Sequence, residues 1–166
     1  MINLRINGKT RQIPTASEFT VEQWLKYEAT PKATVYDYIA VALGMEKPDL
    51  LKCKIRGFNK IVSQLAIINP WSEDAYTERL AAHYMRESKT EGVKLDKVGH
   101  RILFESKIKS EASQSEIALF CLAMALRPEC FDYEEIEATA ESLKPLNYAK
   151  VMPVAVFFYK DVIALH

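Results

Sequence analysis

The stretch Ile6-Asn7-Gly8-Lys9-Thr10-Arg11-Gln12-Ile13 decides how this chain is read. An Asn-Gly pair takes up the positive φ angles of a two-residue turn at little steric cost. Residues 2–14 therefore predict two short antiparallel strands. Apolar helical pieces follow, holding Ile39-Ala40-Val41-Ala42-Leu43-Gly44 and then Phe58-Asn59-Lys60-Ile61-Val62. The same order returns later. Val98-Gly99-His100-Arg101-Ile102-Leu103-Phe104 repeats the Gly-centred strand signal, with strands expected at 93–95 and 101–106. Leu122-Ala123-Met124-Ala125-Leu126 and Tyr148-Ala149-Lys150-Val151-Met152 echo the two helical pieces. The expectation is an α+β fold, mainly α. It consists of two hairpin-plus-helices units, 1–88 and 89–166, open to reading as an internal duplication and packed as one compact domain with a continuous core. The two hairpins would then pair into one sheet, curing the weakness of isolated hairpins.

Local signals place the helices. Thr20 with Gln23 and Ser113 with Glu116 have the spacing of capping boxes, and Phe19 with Trp24 that of a hydrophobic staple. The first helix should stop near Ala29, before Pro31. A second should begin at Thr34, carry Val35, Tyr38, Ile39, Ala42 and Leu43 on one face, and end on Gly44 as its C-terminal cap. Pro48-Asp49-Leu50-Leu51 predicts a short helical turn. Phe58, Ile61, Val62 and Leu65 stripe another helix, and Ser72 caps a more polar one through about Arg86. Lys89-Thr90-Glu91-Gly92 is the clearest linker. Residues 117–126 are apolar nearly all round, which predicts a central core helix. Tyr133, Ile136, Ala140 and Leu143 stripe an acidic helix, Asn147 caps the last one, and Pro153 should kink or break it.

At 166 residues the chain is long enough to hold a core without staples. Lys plus Arg and Asp plus Glu are both 22, and this zero balance is poor material for a generic phosphate-backbone binder. No direct nucleic-acid role is expected. The three cysteines, Cys53, Cys121 and Cys130, are odd in number and widely spaced, which suggests reduced thiols, with Cys121 a small core hydrophobe. Residues 1–5 lack a signal-peptide pattern. Residues 151–165 are too short and too charged to span a bilayer, so no membrane role is expected.

Signatures of chemistry are weak. His83, His100 and His166 share no metal-ligand spacing with each other or with the cysteines, so no metal and no cofactor is expected. His100 should be exposed in the second hairpin turn. Cys53 lies between Lys52 and Lys54, cations that favour a thiolate, yet no His or Asn context supports catalysis. Glu134, Glu135, Glu137 and Glu141 form an acidic stripe that is more simply a solvated helix face. Gly8-Lys9-Thr10 matches the end of a Walker A motif, but the upstream Gly is missing. No catalytic residue is assigned. Trp71, beside Pro70, is the better of the two tryptophans for an exposed partner contact, and Tyr76, Tyr84 and Met85 form a second candidate surface.

A Gly8-Lys9 hairpin, then Ile13-Pro14, a Thr20-Val21-Glu22-Gln23-Trp24 helix start, and a helix ending Leu43-Gly44 before a Pro48-Asp49 turn together resemble small morphogenesis proteins of tailed bacteriophages. These include tail-assembly-chaperone-like proteins and small virion proteins of crAss-like phages. The second half is similar through Gly99, Ala125-Leu126-Arg127-Pro128-Glu129 and the Phe157-Phe158 helix. The extra helix at 72–86 departs from the simplest tail-chaperone pattern. The resemblance implies a non-enzymatic protein of the neck, connector or tail, or a chaperone of their assembly. It would be a homo-oligomer or ring contacting other phage structural proteins, located in the virion and assembled in the host cytoplasm. The alternative is a small cytosolic adaptor or regulatory protein with a helical binding face.

Overall fold

A computed structural model describes residues 1–65 and 75–165, the side chains at 63–65 and 75–77 excepted. The turn forms as the sequence requires, with φ 50° at Asn7 and 81° at Gly8. It joins β1 (Ile2–Ile6) to β2 (Lys9–Ile13) in an antiparallel pair whose register runs from Ile6 opposite Lys9 to Ile2 opposite Ile13. The third strand, β3 (Ile55–Arg56), is not visible in the sequence and pairs antiparallel with β1. Asn7 fixes it with two bonds. The Asn7 N–H donates to the Lys54 carbonyl, and the Lys54 N–H donates to Asn7 Oδ1, both at 2.9 Å. The sheet order is β2-β1-β3.

The helices are α1 (Val21–Glu28), α2 (Val35–Leu43), α3 (Lys47–Leu51), α4 (Asn59–Leu65), α5 (Ala75–Glu87), α6 (Val98–Lys109), α7 (Gln114–Leu126), α8 (Tyr133–Leu143) and α9 (Tyr148–Ala164). With the small sheet they give the α+β, mainly α class that the sequence predicts. Among the described residues no helix is long and apolar enough to cross a membrane.

Two compact units divide the chain. The first comprises Met1–Asn69 with Asn147–Ala149. Its core gathers Ile2, Leu4 and Ile6 from one face of β1 with Ile13, Phe19, Tyr38, Ile39, Leu50 and Ile61. Phe19 stacks on Tyr38 with ring centroids 4.5 Å apart. Trp24 stacks at 4.4 Å on Tyr148, whose N–H donates to the Phe19 carbonyl. The caps are those the sequence encodes. Thr20 Oγ1 accepts from the Gln23 N–H, Gln23 Oε1 accepts from the Thr20 N–H, and Gly44 closes α2 at φ 63°.

The second unit comprises Pro70–Leu146 with Lys150–His166. Here α7 is buried along its length, from Ser115 and then Ile117 through Ala125, as its all-round apolarity predicts. Ser113 and Glu116 cap its start reciprocally. Burying Leu119, Phe120, Leu122 and Met124 stabilises the unit by roughly 1.5–3 kcal/mol each.

Three expectations fail in this unit. The second hairpin is absent: residues 98–109 form α6, so the strand half of the duplication does not exist. Val98, Ile102, Leu103 and Phe104 have a spacing that serves a helix as well as a strand, and tertiary packing selects the helix. His100 is consequently fully buried, with Nε2 3.1 Å from the Pro128 carbonyl. Lys89–Gly92 is not a linker between units but a packed helix end. Lys89 turns left-handed at φ 57°, the Thr90 N–H returns to the Met85 carbonyl, and Thr90 is 2% exposed. Of the kink or break expected at Pro153, the break does not occur, since α9 continues through it.

Gly99 has a steric reason to lack a side chain. A Cβ there would sit 2.3 Å from the Phe131 ring. Gly99→Ala is therefore expected to destabilise the protein despite the better helix propensity of Ala. The same substitution should be tolerated in a Phe131→Ala background. A coupling of about 1 kcal/mol or more in denaturant melts of the four proteins would establish the contact.

Candidate functional site

An apolar concavity lies in the second unit. Four helices and one loop residue shape it. Tyr84, Glu87 and Ser88 come from α5 and its end, Leu122 and Leu126 from α7, and Leu143 from α8. Leu146 follows in the loop, and Lys150, Val151 and Val154 come from α9. The open groove measures about 380 Å³. Its floor and walls are aliphatic, and its polar groups stand at Tyr84, Glu87, Ser88 and Lys150. Lys150 Nζ lies 5.8 Å from the centre of the Tyr84 ring, within cation–π range.

Local chemistry holds this geometry. Ser88 Oγ donates to the Tyr84 carbonyl at 2.9 Å, which with the Thr90 return bond fixes the end of α5. Asp132 Oδ1 accepts from the Glu135 N–H at 3.0 Å and starts α8. Below it, Lys107 of α6 is nearly buried and donates to both carboxylate oxygens of Glu137, at 2.8 and 2.9 Å. The same ammonium sits 5.5 Å from the Phe120 ring centre. A buried lysine is tolerable only because that partner neutralises it.

Of the four residues expected to contact a partner, Tyr84 lines this groove, half-buried. Met85, one residue on, is buried instead of presented. Trp71 lies outside the described residues, as does the side chain of Tyr76. The groove's aliphatic lining was legible only as core. The stripe of α8 predicts that Leu143 faces inward, but not that Leu122, Leu126 and Val154 leave an open space beside it.

A second, polar concavity of about 740 Å³ lies in the first unit, with Thr20, Gln23, Lys26, Thr30, Asp37 and Lys47 among its lining. Asp37 is buried here. Its Oδ2 accepts from the Thr34 N–H at 2.7 Å, the Thr34 hydroxyl at 2.5 Å and Lys47 Nζ at 2.8 Å. Burial alone would raise this carboxyl, but the Lys47 ammonium and the Thr34 donors outweigh it and hold the group at about 2. All three partners serve to start α2 and tie it to α3.

Several of the residues weighed for chemistry hold structural contacts. The Cys53 thiol donates to the Asp49 carbonyl and accepts from Asn7 Nδ2, each at 3.4 Å, while Lys52 turns to Asp49 at 3.0 Å. Burial pushes the Cys121 thiol up, as suits a core residue. On the acidic helix, Glu135 pairs with Arg127 and Glu141 with Lys144, in addition to Glu137 with Lys107. His83 is exposed and lies 3.5 Å from Glu87. His166 lies outside the described residues. Among the described residues no group of His, Cys, Asp and Glu is placed to hold a metal ion. No protein-family model, curated protein or solved structure matches the chain.

Two stability predictions follow from these ion pairs. Glu137→Ala should cost about 3 kcal/mol, because it strands a buried ammonium, whereas Lys107→Met with Glu137→Leu should recover most of the loss in urea melts. Asp37 is more acidic in the folded chain than the usual carboxylate, so its contribution is complete above about pH 4 and disappears as pH falls toward 2. Thermal midpoints recorded down this range should fall more steeply for the wild type than for Asp37→Asn.

Proposed function

We propose that this chain is a non-enzymatic structural or assembly protein working by protein–protein contact. The setting is the one its resemblance implies, the neck, connector or tail of a tailed-phage particle. The observation that carries the reading is the groove of the second unit. Its lining is aliphatic, its volume suits a few apolar side chains, and Leu146 at its mouth is 48% exposed. Water gains when such a surface is covered, at about 25 cal/mol per Å² of apolar area. The occupant is an apolar segment of a neighbouring subunit, either another copy or a second structural protein. A head-to-tail contact that closes between copies builds a ring.

The test uses native mass across a concentration range, together with capture from infected cells. Wild-type protein is expected to form a discrete oligomer or to capture a particle protein. Leu146→Asp, at an exposed position that the fold tolerates, is expected to lose that association with an unchanged thermal midpoint. A strict monomer that captures no particle protein, with or without the substitution, overturns the proposal. Capture of one host protein at fixed stoichiometry would instead favour the adaptor reading.

A further inference from the structure

The sheet of the first unit carries an open edge of unusual charge. Strand order leaves β2 outermost, beyond β1. Lys9, Thr10, Arg11 and Gln12 are all exposed. The register decides which backbone groups are used. In an antiparallel pair closed by a two-residue turn, Ile6 with Lys9 and Leu4 with Arg11 bond each other. Thr10 and Gln12 therefore aim their N–H and C=O groups away from β1, along the free edge. Among the described residues neither makes another backbone hydrogen bond. Such an edge is a template for one more strand.

Charge narrows what can add. Residues 1–17 and 50–65 contain no Asp or Glu. Besides Lys52, which pairs with Asp49, and Lys60, they carry Arg5, Lys9, Arg11, Lys54 and Arg56. None of these five makes an ion pair among the described residues. Two copies of β2 laid edge to edge would bring Lys9 and Arg11 of each against those of the other. That repulsion disfavours self-pairing. The edge suits an incoming chain with the opposite sign.

We propose that β2 accepts an extended acidic segment of a partner protein, which adds to the sheet as a fourth strand. This deepens the protein-contact reading above and rests on it. The segment's backbone pairs with Thr10 and Gln12. Its alternate carboxylates fall opposite Lys9 and Arg11, at the closer, non-bonded positions of the new ladder. The zero net charge of the whole chain favours a protein partner over a nucleic acid.

Fluorescence anisotropy of a labelled, capped peptide of alternating Glu and Val, titrated with the full chain, tests this. Saturable binding is expected, with none for the peptide of alternating Lys and Val. Thr10→Pro removes an outward N–H without touching the bonds to β1, a place where an edge strand accepts proline. It should weaken binding about tenfold or more while circular dichroism shows an unchanged fold. Lys9→Glu with Arg11→Glu, which leaves the backbone intact, should do the same. Absence of saturable binding overturns the proposal. So does binding that survives Thr10→Pro and is matched by a single-stranded oligonucleotide, which would mark a general anion patch. Self-association abolished by Thr10→Pro would show that a second copy is the occupant and overturn it as well. If the oligomer or particle capture persists while the acidic peptide fails to bind, the strand proposal falls and the groove reading stands.

Discussion

Helix α7 has no polar face, and a helix without one has to be surrounded. Every residue from Ile117 to Ala125 is buried. That demand sets the second unit, since α6 and α8 must both lie against α7 and must themselves turn apolar positions toward it. Leu103 and Phe104 do this from α6, and Ile136, Ala140 and Leu143 from α8. The same demand pulls polar groups inside with them. Lys107 enters the core as part of the α6 face and is held there by Glu137. Ser115 is fully buried on α7, and its hydroxyl has no hydrogen-bond partner among the described residues.

The first unit depends on a different economy of form. A strand pair alone is marginal in water. Here the pair gains a third strand of only two residues, because the turn residue Asn7 offers both its backbone N–H and its side-chain carbonyl to Lys54. Aromatic stacking closes the rest of the core, Phe19 on Tyr38 and Trp24 on Tyr148. Tyr148 reaches this core from far along the chain, so a long loop-closure cost is met by burying one large ring that is 1% exposed.

Both candidate surfaces arise where these packing solutions stop. The aliphatic groove is a space left beside α7 by the helices around it. The cationic edge belongs to β2, the outermost strand, which no further described strand pairs with. Surfaces of this kind suit recognition, one by apolar area and the other by backbone pairing with charge selection.

Much of the local structure was determined by the sequence alone. The Asn7-Gly8 turn, the boxes at Thr20–Gln23 and Ser113–Glu116, the Gly44 stop, the Asn147 cap and the central burial of α7 all follow from short-range bonds or from a one-helix pattern. Such features need only neighbours within a few residues, so they can be read without a fold. What tertiary structure decided is what depends on distant partners. The pattern at 98–109 fits either period, and packing made it a helix, which buried His100 and required a glycine against Phe131. Ile55-Arg56 is too short to announce itself as a strand and became one only because Asn7 was waiting for it. The groove is a gap among side chains from four helices, and no single stretch of sequence encodes a gap.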